Sequence, residues 1–340
     1  MKLFKKMEGV GMAEADISSD SREEMINRLL DQMIEGRQVA LSRLITMTEN
    51  HPTNMASILP KIQKHLGRAF CVGITGPPGA GKSSLVNQMA KLLRKNDKKV
   101  GIIAIDPTSP FTGGSLMGDR IRMQELYLDP GVFIRSMATR GSLGGLSSAT
   151  GNAIKLMDAY GMDYILVETV GVGQTELDIM QATDITVVVL VPEGGDSIQA
   201  MKAGLMEIGS IFVINKSDRP GASSMETQLA LILHMNPRFE AIMPPIFLTQ
   251  AKSGQGVDEL IDAVRVLESR MISPEFQLHR KDRIKTEFEE ILKQSVSYEW
   301  KELLVKDTEV EKKYAEVIEG NSDPYTMLRE IYPDGVLNRR

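Results

Sequence analysis

Residues 70–90 read FCVGIT-GPPGAGKS-SLVNQMA: an apolar run from Phe70 to Thr75, a glycine-rich loop, and the start of a helical pattern through Ser84, Leu85, Val86, Met89 and Ala90. The loop Gly76-Pro77-Pro78-Gly79-Ala80-Gly81-Lys82-Ser83 fills every fixed position of G-x-x-x-x-G-K-[ST], in the strand–loop–helix setting that gives the pattern its meaning. Its glycines let backbone N–H groups close around phosphates, and the helix N-terminus adds a favourable dipole. Lys82 is placed to reach the β- and γ-phosphates, the Ser83 hydroxyl to ligate Mg²⁺, and Ser84 continues the helix start.

Short runs of β-branched and apolar residues recur on both sides of this loop, at 70–75, 99–105, 132–135, 163–168, 184–191, 211–215 and 246–249, with helical stretches between them. The strongest are almost continuously apolar, as parallel strands covered on both faces must be. Their alternation with helices predicts an α/β fold, a doubly wound and mostly parallel sheet with right-handed crossovers. Before it, from Ser21 to about Gly67, apolar residues repeat at helical spacing (Met25, Leu29, Leu30, Met33, Ile34, Leu41, Leu44, Ile45), with a break at Asn50-His51-Pro52. After about Glu268 the strand pattern stops, and Ile284, Phe288, Ile291 and Leu292 fall on one helical stripe. The expected division is therefore 1–67 as a helical extension, 68–270 as the nucleotide domain and 271–340 as a C-terminal helical arm; residues 1–20, polar and acidic, are expected to fray.

The segment Asn215-Lys216-Ser217-Asp218 closes the strand IFVIN. A carboxylate at position 218 accepts from guanine N1–H and the exocyclic 2-amine together, whereas adenine offers neither donor. Alone the four residues also fit a polar turn; their place at a strand end after a phosphate loop favours the base-reading role. Thr249-Gln250-Ala251-Lys252-Ser253 follows the next strand; alone it fits a plain turn equally well, and its position favours a backbone N–H near Ala251 and Lys252 meeting guanine O6.

Three acidic residues are candidates for the metal and switch network. Glu168 ends the strand DYILVE and is followed by Gly171, the acid-then-glycine arrangement of a γ-phosphate switch; most such proteins carry Asp there, so Glu168 is a departure. Asp106 ends the strand GIIAID, and Asp119 lies in the glycine-rich stretch GGSLMGDR; a helix cap or a loop acid are the plainer alternatives for these two. Pro192-Glu-Gly-Gly-Asp196 also follows a strand on that edge and is a candidate mobile loop; Lys202 lies just beyond it and on sequence alone reads as a solvated helix lysine.

Taken together, AIDPTSPFTGGSLMGDRIRM, FIRSMATRGSLGGLSSAT, ILVETVGVGQTE, EGGDSIQAMKAG and NKSD resemble the MeaB/ArgK family of P-loop GTPases, over about residues 35–270 with the late Ser322-Asp-Pro-Tyr325 stretch besides. The resemblance implies that Asp106, Asp119 and Glu168 serve Mg²⁺ and the switches, and that Lys202 belongs to a third switch contacting the nucleotide when a partner is bound. It implies a homodimer held by C-terminal helices, and a partner, an adenosylcobalamin-dependent acyl-CoA mutase, whose cofactor loading the GTPase gates and which it protects. No D-x-H-x-x-G cobalamin signature occurs in the chain, so the corrinoid is expected on the partner. Older family labels of an arginine/ornithine transport ATPase or kinase sit badly with NKSD, which selects against adenine.

Composition narrows the field. With 40 basic against 45 acidic residues the net charge is −5, which disfavours a general nucleic-acid binder. One cysteine, Cys71, excludes an internal disulfide, and with four scattered histidines the chain lacks the soft ligands a metal-inserting GTPase would carry. The apolar stretch Ile185–Val191 is far short of the roughly 20 residues that span a bilayer, and the basic N-terminus has no apolar h-region, so no membrane association and a cytoplasmic location are expected. A GTP-binding adaptor without useful hydrolysis remains the non-enzymatic alternative, since Val172 rather than glutamine follows Gly171.

The base-reading assignment makes a direct prediction. A site built on a paired carboxylate should prefer GTP to ATP by roughly 10⁴-fold or more. Asp218→Asn should weaken GTP and improve xanthosine triphosphate, whose O2 replaces the guanine amine; nucleotide titrations in which wild type binds ATP and GTP equally would refute the assignment.

Overall fold

The computed structural model describes residues 19–106, 124–138, 148–169, 175–192, 204–240, 242–306 and 308–331. Two compact units divide at Phe276/Gln277. In the first, α1 (Ser19–Ile34), α2 (Gln38–Asn50) and α3 (Met55–Ile62) precede β1 (Phe70–Thr75) and α4 (Lys82–Lys95). There follow β2 (Val100–Asp106), β3 (Val132–Ala138), α5 (Ser148–Tyr160), β4 (Tyr164–Glu168), α6 (Thr175–Ala182), β5 (Ile185–Leu190) and α7 (Leu205–Ile208). Then come β6 (Ile211–Asn215), α8 (Ala222–His234), β7 (Ile246–Thr249), α9 (Val257–Glu268) and the start of α10 (Pro274–Lys306).

The described strands form one sheet of seven in the order β3-β2-β4-β1-β5-β6-β7. Every pairing is parallel, so all C-terminal strand ends share one edge. β1 sits between β4 and β5, and the chain reverses its direction of winding there, the place where open α/β sheets bind ligands. Burial on both faces explains the continuously apolar strands: β1, β4, β5 and β6 are buried at every position. One face carries the core formed with α4 and α9 (Val72, Ile74, Leu85, Met89, Leu260, Val264). The other meets α1–α3 and α5–α8 (Leu41, Ile45, Met157, Ile179, Leu229). On that second face α6 lies so close over β1 that a Cβ on Gly73 would come within 2.7 Å of Ile179 Cγ1.

The predicted strands are all present, with small shifts: β3 runs on to Ala138, three residues past the apolar run, because its continuation pairs with β2 through Asp106↔Ala138. The early helical pattern is divided at Gly36 into α1 and α2, a turn that apolar periodicity alone did not mark. Pro52 opens a 3₁₀ turn leading into α3.

Polar contacts fasten the early helices to the sheet. Asp158 of α5 accepts N–H bonds from Gly67 (2.5 Å), Arg68 (3.1 Å) and Ala69 (2.8 Å), fixing the entry into β1. Arg135 of β3 pairs with Glu49 of α2 at 2.5 Å. At the N-terminal ends of β1 and β4 Phe70 meets Tyr164 edge-on and stacks on Phe276, with ring centroids 6.3 and 6.1 Å apart. Burial, reinforced by a hydrogen bond to the Glu268 carboxylate, pushes the Tyr164 phenol above its ordinary pKa.

The second unit contains the rest of α10, then α11 (Thr308–Ile318) and α12 (Pro324–Ile331). Asp323 caps α12, its carboxylate accepting from the N–H groups of Tyr325 and Thr326 and from the Thr326 hydroxyl. These bonds hold the Asp323 carboxyl below its usual pKa.

Candidate functional site

The loop from β1 to α4 turns on an Ala80 N–H to Pro77 carbonyl bond of 3.2 Å. Lys82, 5% exposed, donates Nζ to the carbonyl oxygens of Gly76 (2.7 Å) and Pro77 (3.0 Å). Pro77 and Pro78 have no N–H, so amide donors for a phosphate begin at Gly79.

The next contacts come from the far side of the sheet. Asn215, the last residue of β6, donates Nδ2 to the Ala80 carbonyl at 2.8 Å. Its Oδ1 accepts from the Ala251 N–H (3.0 Å) and the Thr249 hydroxyl (3.1 Å). Gly81 must be glycine here: its φ is +89°, and a Cβ would stand 2.4 Å from Asn215 Nδ2. Lys216 follows with φ +58°, uncommon for a residue with a side chain, and its Nζ donates to the Gly79 carbonyl at 2.8 Å. Ser217 N–H bonds the Thr249 carbonyl at 3.0 Å. The loops after β1, β6 and β7 are thus laced into one surface. Asp218 and Lys252 are both exposed on it, so the two stretches predicted to read the base do meet at the phosphate loop.

On the other flank, Ser83 Oγ donates to Glu168 Oε1 at 2.6 Å. Both are buried, Ser83 at 7% and Glu168 at 6% exposure. The extra methylene of glutamate, relative to the commoner aspartate, lets the end of β4 reach the first turn of α4. A hydroxyl and a carboxylate side by side are hard oxygen donors, the set that Mg²⁺ takes, so these residues fit that ion. Asp106 ends β2, two residues past the Ala104↔Glu168 pairing, on the same sheet edge. Asp119, Gly171, Lys202 and the segment 193–196 lie outside the described residues.

Two buried threonines belong to the same edge and no motif singles them out. Thr169 Oγ1 lies 3.0 Å from Thr75 Oγ1, joining the residue before Gly76 to the residue after Glu168. The only trace in sequence is a hydroxyl at the end of each of two apolar strands. Among the described residues no group of three or more His, Cys, Asp or Glu is arranged to hold a metal ion, and no helix is long and apolar enough to cross a membrane.

Comparison with known proteins agrees with this geometry. Residues 41–303 match the family model described as methylmalonyl Co-A mutase-associated GTPase MeaB. A protein of Pyrococcus abyssi named only as a GTPase is 47% identical over 322 residues, 92% of this chain and 98% of that one. The mitochondrial methylmalonic aciduria type A homolog of Mus musculus is 34% identical, over 75% of this chain and 66% of that one. GTPase ArgK of Escherichia coli is 35% identical, over 68% and 72% respectively. A solved structure titled as an LAO/AO transport system kinase superimposes with a TM-score of 0.64 at 25% identity, covering 93% of this chain and 98% of that one.

The Asn215 clamp can be tested by an isosteric change. Asn215→Asp puts an acceptor against the Ala80 carbonyl in place of a donor while leaving the shape intact. GDP and GTP affinity should both fall by about 10–100-fold, about 1.4–2.7 kcal/mol. Calorimetric titration giving wild-type affinity would show the clamp to be dispensable.

Proposed function

The chain belongs to the MeaB family of methylmalonyl-CoA mutase-associated GTPases, and from that premise we propose that it is a chaperone whose GTP cycle gates cofactor loading on an adenosylcobalamin-dependent acyl-CoA mutase and protects that enzyme. As a member of that family it is a GTPase that binds GTP and GDP. The observation that supports the finer reading is the family match across 41–303, which spans the phosphate loop, NKSD and the stretches around Asp119, Glu168 and Lys202.

In this reading Asp218 accepts the guanine N1–H and 2-amine, and the Ala251–Lys252 backbone lies against O6. Lys82 exchanges its bonds to the Gly76 and Pro77 carbonyls for phosphate oxygens, and the amides at the start of α4 add the favourable dipole of a helix N-terminus. Ser83 and Glu168 hold Mg²⁺, with Asp106 and Asp119 completing the network. Mg²⁺ there supplies neutralisation of the charge that develops on the β- and γ-phosphate oxygens. Gly171 donates near the γ-phosphate.

Phosphoryl transfer relies on positioning and charge stabilisation, and a cation delivered on partner binding raises turnover by about 10³–10⁵-fold in comparable systems. With Val172 where a water-positioning glutamine often stands, such a supplement has a clear role, and Lys202 is the residue assigned to it. A mutase of this class should therefore stimulate GTP hydrolysis, and Lys202→Ala should remove the stimulation. Single-turnover rates with and without mutase decide this; a mutant stimulated as strongly as wild type defeats the assignment.

The homodimer is part of the same proposal. α10 leaves Ile284, Phe288, Ile291, Leu292 and Val296 exposed along one stripe, and a second copy presenting the same stripe would bury it. Light scattering should give a dimer for the intact chain and a monomer for Phe288→Asp/Ile291→Asp; a double variant that stays dimeric places the interface elsewhere.

A further inference from the structure

The backbone ladder between β1 and β4 ends at Ile74↔Glu168. One step further, Thr75 is paired with Val188 of β5, and on its β4 side the sheet continues only through Thr169. Thr169 N–H donates to the Ile74 carbonyl at 3.0 Å, and its hydroxyl lies 3.0 Å from that of Thr75. Both threonines are inaccessible, Thr75 at 0% and Thr169 at 1% exposure. Successive strand residues point to opposite faces. Glu168 points to the α4 side, where it meets Ser83, and Thr169 to the other side, with Thr75. The peptide joining Glu168 to Thr169 is therefore gripped on both faces of the sheet at one level. Loss of the hydroxyl contact would leave that peptide held through the Thr169 N–H bond to Ile74, a looser restraint on the strand end that lets the Glu168 carboxylate shift from Ser83.

We propose that the Thr75–Thr169 hydroxyl pair is a positioning device that fixes the Glu168 carboxylate against Ser83 and thereby sets the Mg²⁺ affinity of the nucleotide complex. The inference rests on the reading that Ser83 and Glu168 hold Mg²⁺. Thr75 and Thr169 touch neither ion nor nucleotide; they act through the strand ends they join. The pair suits the task because it is buried. A hydroxyl left without its partner in a dry core costs the full desolvation of that group, so the two-threonine arrangement is strongly favoured over a rotated one. Valine has the shape of threonine without the hydroxyl, which makes it the informative substitution.

The experiment measures binding rather than turnover. A fluorescent, non-hydrolysable GTP analogue (GppNHp) is titrated in EDTA and across a Mg²⁺ series, for wild type, Thr169→Val, Thr75→Val, the double variant and Thr169→Ser. Outer-shell partners of metal ligands typically contribute 10–100-fold to metal affinity, so each valine variant should raise the Mg²⁺ midpoint about tenfold or more while binding in EDTA stays within about twofold of wild type. The double variant should be no worse than either single one, and Thr169→Ser should restore most of the midpoint. A wild-type midpoint in Thr169→Val overturns the proposal, as does an equal loss in EDTA, or a serine variant as impaired as the valine. If Thr169→Val does not fold, Thr75→Val and Thr169→Ser decide by the same criteria. Failure of Mg²⁺ to tighten analogue binding by wild type would instead sink the Ser83–Glu168 reading, so the two failures are distinguishable.

Discussion

The C-terminal end of β1 is the fixed point of this molecule. The strand is buried along its whole length and paired on both sides, to β4 and to β5, so its end has no room to move. The phosphate loop springs from that end, α6 is packed against Gly73 two residues before Thr75, and Thr169 is tied to it from β4. A loop rich in glycine would otherwise sample many conformations, and glycine loses more freedom on ordering than other residues. Anchoring both the loop and the acidic strand end to one central strand lets the fold meet that cost before any ligand arrives.

The second organising feature is how the carbonyl groups of the phosphate loop are satisfied. Gly76 and Pro77 accept from Lys82, Gly79 from Lys216 and Ala80 from Asn215. Backbone carbonyls taken from water need partners, and here the buried carbonyls of Gly76, Pro77 and Ala80 and the exposed one of Gly79 all accept from side chains. The Ala80 N–H closes the turn on the Pro77 carbonyl, so the loop is held by its own backbone as well as by these side chains. Asn215 and Lys216, in the same turn as Asp218, hold the Ala80 and Gly79 carbonyls, so the turn after β6 and the phosphate loop are mechanically joined. Asn215 is the joint, since its two ends hold Ala80 and Ala251 at once.

Away from the site, the polar contacts do structural work of a different kind. The three N–H bonds gathered by Asp158 fix the chain just before β1, and the Arg135–Glu49 pair ties α2 to the edge strand β3. The second unit is built from helices alone among its described residues, and its α10 stripe is apolar where a solvent-facing helix should be polar. Such a face is suited to a partner, unlike the phosphate edge, which is suited to a small anion.

Sequence by itself determined a good deal. The phosphate loop, the NKSD turn and seven apolar runs were legible because each depends on local chemistry: glycine where the backbone must turn, a polar turn closing an apolar strand, β-branched residues where both strand faces are buried. The break at Gly36 and the three extra residues of β3 were not, because the first is a turn inside an unbroken apolar rhythm and the second depends on a neighbour strand distant in sequence. Only the tertiary structure decided which strand lies beside which. From that order came the reach of Glu168 to Ser83, the reach of Asn215 to Ala80 and the meeting of Thr75 with Thr169, contacts spanning 85, 135 and 94 residues. A hydroxyl at the end of an apolar strand carries no signal of its own; its role is set by the residue that a parallel sheet places opposite it.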